Sequence, residues 1–202
     1  MEDPQARSRM AERSEETREA LIAAARALFA KRGFAAVGTE EIVRAARMTR
    51  GALYHHFANK EDLFRAVYEQ VERELVEEIA RDALTASDPL AALRSGARAF
   101  LDACEDPAVQ RIALIDAPSV LGWEQWREIG LRYGLGLVQQ TLGAAMEAGL
   151  IERQPVRPLA HLLLGSLDEA AMLVARADDD GETKREVAEA LERYLEALTR
   201  PG

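Results

Sequence analysis

Two adjacent histidines stand in the stretch Thr49-Arg50-Gly51-Ala52-Leu53-Tyr54-His55-His56-Phe57, and a single cysteine, Cys104, lies elsewhere in the chain. Metal or nucleophilic chemistry would have to begin with residues like these. Neighbours on a helix point about 100° apart, whereas helical metal ligands are spaced by three or four. The third histidine, His161, is far away in sequence, and there is no HExxH. No metal site is therefore expected. Cys104 shares an apolar stripe with Leu90, Leu93, Ala97, Phe100 and Leu101, which suits a buried, inert thiol. No glycine-rich phosphate loop follows a strand, because no strand is predicted, and no cofactor is expected. The same stretch is well made for reading base edges. Thr49, Arg50, Tyr54 and His55 supply hydrogen-bonding groups, and Gly51 and Ala52 keep bulk away. Leu53 and Phe57, four apart, hold the helix to a body.

Such a reading helix must be positioned by others. Leu21, Ile22, Ala25, Leu28 and Phe29 mark one face of a helix from about Thr17 to Arg32, stopped by Gly33. Thr39 is read as the N-cap of a short helix, "EEIVRAA", and Thr49 as the N-cap of Arg50 to Phe57. Asn59 with Asp62 resembles a capping box that opens a long helix through about Leu84, with Leu63, Phe64, Val67, Val71, Leu75 and Ile79 inward. Asp88-Pro89 and Asp106-Pro107 are N-cap and first-turn pairs, and Pro118 is read as the end of the helix that Pro107 starts. Further helices are expected from about Trp123 to Ala148, closed by Gly149, from Leu159 to Ala177, and from Thr183 to Leu198, with "DDDGE" as a loop. The chain reads as all-α with about nine helices, divided at the fourth.

Bulk properties narrow the function. The 202 residues are 48% hydrophobic and 30% charged, enough for a packed core. The polar start, "MEDPQARSRMAERSEE", reads as neither signal peptide nor anchor, and no apolar run reaches the roughly 20 residues that span a bilayer. No membrane association and a cytoplasmic location are expected. The net charge of −9 hides an asymmetry: residues 1–60 hold 11 Lys and Arg against 8 Asp and Glu, and the remainder 15 against 27. A mildly basic end on an acidic body permits an electrostatic footprint on nucleic acid at that end.

Residues 17–69 resemble, without a gap, the DNA-binding domain of the TetR family of bacterial transcriptional regulators. The pattern that carries the resemblance is Ala45-Ala46-x-Met48-Thr49-x-Gly51-x-Leu53-Tyr54-x-His56-Phe57-x-x-Lys60-x-x-Leu63. The resemblance implies a three-helix helix-turn-helix domain over residues 1–60 and a helical ligand-binding and dimerisation domain over 61–202. It departs at Arg47, where the family usually has Gly. That position commonly needs φ > 0, at about 1 kcal/mol for a residue with a Cβ. Either the turn is remodelled, or Arg47 tolerates the strain and reaches a phosphate. The family reading makes Thr39, Thr49, Tyr54 and Lys60 phosphate contacts, Arg50 a reader of guanine, and His55 a base or backbone contact. His56 packs inward or caps its helix.

The resemblance further implies a homodimer through the last two helices, a palindromic double-stranded DNA operator, and a small apolar effector that releases it. The helix "PLAHLLLGSLDEAAMLVA" is apolar on most sides, as a helix with both an inward and a partner-facing side must be. Candidate effector contacts are Arg111, Asp116, Trp123, Trp126, Tyr133, Met146, His161 and Asp168. Gly130, Gly134 and Gly136 allow either close helix packing or bending. Two rival readings remain. One is a helical enzyme built on His161 and Asp168, which lacks a third catalytic member. The other is an adaptor that has lost DNA affinity through Arg47.

Overall fold

The computed structural model describes residues 4–178 and 181–199, with side chains from residue 10 onward. Part of the expected loop at 178–182 therefore lies outside the described residues. Among the described residues there are nine helices and no strand, save an isolated bridge between Ile151 and Thr199. We number them α1 (Pro4–Arg32), α2 (Thr39–Ala45), α3 (Arg50–His56), α4 (Lys60–Ala83), α5 (Pro89–Ala103), α6 (residues 107–121), α7 (Trp123–Glu147), α8 (Val156–Arg176) and α9 (Glu182–Ala197).

Local chemistry sets most of the ends. Gly33 closes α1 at φ 77°, its amide donating to the Phe29 carbonyl. The Thr49 hydroxyl accepts from the Ala52 amide, Asn59 from Asp62, and Asp88 from Leu90 and Ala91. The capping box at Asn59 is shifted by one residue, since the Asp62 carboxylate accepts from the Ala58 amide.

Four boundaries differ from expectation. Helix α1 begins at Pro4, not near Thr17, because "QARSRMAERSEE" consists largely of good helix formers with no apolar face for periodicity to detect. Gly38, not Thr39, is the N-cap of α2, and Thr39 is its first helical residue. Helix α8 opens at Val156, with Pro158 in its first turn, where no backbone donor is needed. Pro118 does not end α6. That helix runs as Pro107–Val109, a π-helical run Gln110–Asp116, and Ala117–Leu121. In the π run the Ala117 amide reaches back to the Ile112 carbonyl, and this wider turn relieves the clash that Pro118 would make in a regular helix. Gly122, at φ 79°, ends it instead.

Two apolar cores hold the bundle. The first joins α1–α4 to the body: Leu21, Phe29, Ile42, Leu53, Leu63 and Phe64 are continuous with Ile112, Ala117, Trp126 and Ile129. The second packs α5, α7, α8 and α9 around Leu101, Leu142, Leu163 and Leu195. No core boundary therefore falls at residue 60. By length and composition α8 could cross a bilayer, contrary to expectation. It is instead a core helix that buries Leu159, Ala160, Leu163, Leu167, Ala171 and Met172 and carries Asp168.

Candidate DNA-reading face and effector cavity

The turn between α2 and α3 is a complete Schellman motif. The Met48 amide donates to the Val43 carbonyl at 2.8 Å and the Arg47 amide to the Arg44 carbonyl at 3.2 Å, with Arg47 at φ 56°. The turn is not remodelled, and Arg47 carries the strain with its side chain in solvent. Leu53 and Phe57 anchor α3 inward, which leaves Thr49, Arg50, Gly51, Tyr54 and His55 on one exposed face. A Cβ on Gly51 would meet only the Thr49 hydroxyl at 3.9 Å, so the glycine holds this surface low rather than serving the fold.

Around that face the polar groups are loosely tied. The Tyr54 hydroxyl lies in hydrogen-bonding reach of Thr39 and then Arg50, which together hold it below the ordinary tyrosine range. The Arg50 guanidinium stands 5.6 Å above the Tyr54 ring and 3.7 Å from the Glu40 carboxylate, both groups being well exposed. Such an exposed pair is weak and easily exchanged for another acceptor. The ring of His55 stacks edge-on to that of His56, at 5.1 Å. His56 is half-buried beside Phe57, and burial, then the charges of His55 and Arg18, pull its pKa down. Lys60 is placed differently from a free phosphate contact. Its ammonium donates to the Phe34 and Val37 carbonyls at 2.9 and 3.0 Å and sits 3.9 Å from the Phe34 ring centre.

Phe34 is also gripped from α6, where the Asp116 carboxylate accepts its amide at 2.7 Å. Arg111 lies beside Asp116, against Gly33. Two expected effector contacts thus sit at the junction between head and body. Both backbone groups of Phe34 are held, the carbonyl by Lys60 at the start of α4 and the amide by Asp116 of α6.

Between α4, α5, α6, α7 and α8 lies a cavity of about 90 Å³. Its walls are largely apolar, from Leu75, Val76 and Ile79 of α4 to Leu93 and Phe100 of α5, Leu137 and Val138 of α7, and Leu163 and Leu167 of α8. Trp126 and Asp168 line it. The other named candidates do not. Trp123 is 59% exposed, with its ring 4.8 Å from that of Trp126. Tyr133 bonds Arg73, Met146 is buried in the second core, and His161 contributes only its carbonyl, at 3.4 Å from Arg127. His161 and Asp168 form no catalytic pair, since Asp168 is bonded to Arg127 at 2.6 Å.

Sequence reasoning missed Tyr68, Glu72, Arg127 and Thr141. A signal was present: Tyr68, Glu72, Leu75, Val76 and Ile79 form one inward stripe of α4, and Arg127, Gly130, Gly134, Leu137 and Thr141 one of α7. Gly134 lies where a Cβ would touch Leu164 at 3.5 Å, and Gly130 where it would meet the Tyr68 hydroxyl at 3.9 Å. These two glycines give close packing at the cavity wall, whereas Gly136 faces open space. Burial raises the Glu72 carboxyl to about 7 against the pull of the Tyr68 hydroxyl, and Asp168 adds to the rise. Burial raises Asp168 to about 6 in spite of Arg127. The Cys104 thiol is pushed up to about 12 by burial and is inert. The Tyr68 hydroxyl donates to the Trp126 carbonyl at 3.3 Å, and the Trp126 indole to the Ala113 carbonyl of the π run at 2.9 Å.

Comparison with known proteins matches residues 21–67 to bacterial regulatory proteins of the tetR family and residues 90–198 to a tetracyclin repressor-like C-terminal domain. Over 93% of this chain and 96% of its own, a TetR-family transcriptional regulator from Pectobacterium atrosepticum superposes with a TM-score of 0.84 at 34% identity. The transposon Tn10 TetC protein of Escherichia coli is 29% identical over 74% of this chain and 75% of its own length. The HTH-type transcriptional regulator AcrR of Shigella flexneri is 39% identical, but over 40% of this chain and 38% of AcrR.

Proposed function

The chain belongs to the TetR family of bacterial regulatory proteins, DNA-binding regulators rather than enzymes, and from that premise we propose that it is a ligand-responsive dimeric repressor. It works in the cytoplasm. Residues 1–60 are the reading head, and 61–202 the body that binds effector and partner. Thr39, Thr49 and Tyr54 meet phosphates and Arg50 a guanine edge, with His55 beside them and Arg47 at the rim. A two-fold dimer through α8 and α9 sets two copies of α3 on a palindromic operator, about 34–36 Å apart. The outer sides of these helices carry Leu162, Leu173 and Tyr194 in solvent, which supports that pairing.

One observation carries the coupling: α4 and α6 both line the cavity, and both hold the backbone of Phe34 at the entrance to α2. A molecule that parts the cavity walls shifts both grips and turns the head. Typical couplings of this kind are about 1–3 kcal/mol, and operator and effector weaken each other equally. The intact turn at Arg47 favours DNA reading over the adaptor role. The test is fluorescence-polarisation binding to the DNA beside its own gene, at low and moderate salt, against a scrambled duplex. Selective, salt-sensitive binding supports the reading, and equal binding to both duplexes overturns it.

A further inference from the structure

We propose that the cavity takes a monocation with a slender apolar body, an alkylamine or ammonium, whose charge sits against the Glu72 carboxylate. This rests on the cavity being the effector site. Five titratable side chains line it: Tyr68, Glu72, Cys104, Arg127 and Asp168. Arg127 is already committed, at 2.6 Å to Asp168 and 3.4 Å to the His161 carbonyl. What faces Glu72 is the Tyr68 hydroxyl from α4 and the like charge of Asp168 from α8. The Cys104 thiol at the end of α5 stays protonated. A carboxylate on a largely apolar wall without a countercharge is costly, and a ligand cation supplies the missing partner. The lining on α4 runs from Tyr68 to Ala83, about 22 Å at the helical rise, while the volume is only about 90 Å³. A lining drawn out along α4 suits an alkyl chain that parts the walls as it enters.

The hydrogen bonds provide a consequence. Tyr68 has one proton to donate, shared between the Trp126 carbonyl of α7, at 3.3 Å, and the Glu72 carboxyl within its reach. A cation that keeps Glu72 ionised draws that proton toward the carboxylate and loosens α4 from α7.

Calorimetric titration of the full chain without DNA tests this. The probes are decylamine, decanol and decanoate, below their micelle-forming concentrations, at pH 6 to 8. Decylamine should bind at least tenfold tighter than the other two at pH 8. Its affinity should rise about tenfold from pH 6 to 8, because a carboxyl titrating near 7 goes from about one-tenth to nine-tenths ionised. In Glu72→Gln the amine preference and the pH rise should both vanish while decanol still binds. The wild-type pH profile holds as a test even if that variant folds poorly. Equal or tighter binding of decanol or decanoate to the wild type overturns the proposal. So does undiminished amine affinity in Glu72→Gln, or the failure of all three probes to bind. If the amine binds through Glu72 but operator DNA stays bound, this inference stands and the repressor reading falls. If decanol alone binds and releases DNA, the reverse holds.

Discussion

Arg47 occupies a left-handed backbone position that the turn between α2 and α3 requires and that glycine would fill without strain. Arg47→Gly should therefore stabilise the protein by about 1 kcal/mol, read as a rise in Tm of about 2–4 °C. Arg50 is held only by an exposed pair with Glu40 and the face of Tyr54. Arg50→Ala should leave Tm unchanged and cost about 1–3 kcal/mol of sequence discrimination in operator binding. Unchanged preference among operator variants would remove Arg50 from the reading set. Glu72 makes stability depend on pH. Its folded pKa, near 7, lies above the unfolded value of 4.5, so the folded state holds the proton more tightly. Its full contribution is present below pH 4.5 and is lost as pH rises through 7. Glu72→Gln should thus be more stable than wild type at pH 8, on the order of 2 kcal/mol, with the gain vanishing toward pH 4. Paired thermal melts across that range check it.

At the scale of elements, α6 is the least legible part of the fold. Proline normally stops a helix, and Pro118 is placed where a regular helix would break. The π-helical run ahead of it depends on packing against α1, α4 and α8, which no local pattern announces. The same run puts Ala113 and Leu114 at the cavity and Asp116 on the Phe34 amide. Removing that acceptor leaves a partly buried donor unsatisfied. Asp116→Ala should cost about 1–2 kcal/mol and speed hydrogen exchange of the Phe34 amide by about tenfold or more. An unaltered exchange rate would mean that Lys60 alone holds the connector. By contrast, α3, α4 and α5 were legible from their caps, because Thr49, Asn59 and Asp88 each satisfy amides within three residues.

For the whole molecule, the mildly basic quarter contains the exposed face of α3, and the acidic remainder contains the helices around the cavity. Leu162 and Leu173 of α8 are 65% and 53% exposed, so neither supports the core of a single chain. Replacing both by Glu should leave the helical signal intact and shift sedimentation from dimer to monomer. Operator affinity should then fall by more than tenfold, because two linked heads bind with a raised effective concentration. A stable dimer in that variant would place the interface elsewhere.

By itself the sequence determined the helical class, most helix ends and the composition of the exposed face of α3. Those features depend on residues within a turn or two of one another, where periodicity and capping act. Only the tertiary structure decided which distant side chains meet. Glu72, Arg127 and Asp168 come from three helices, and the pairing of Arg127 with Asp168 leaves Glu72 without a countercharge. Arg111 and Asp116 have the polarity of effector contacts, yet helix packing turns them to the connector at Gly33 and Phe34. The direction a polar residue faces depends on what its helix packs against, and that is a property of the assembled bundle rather than of any segment.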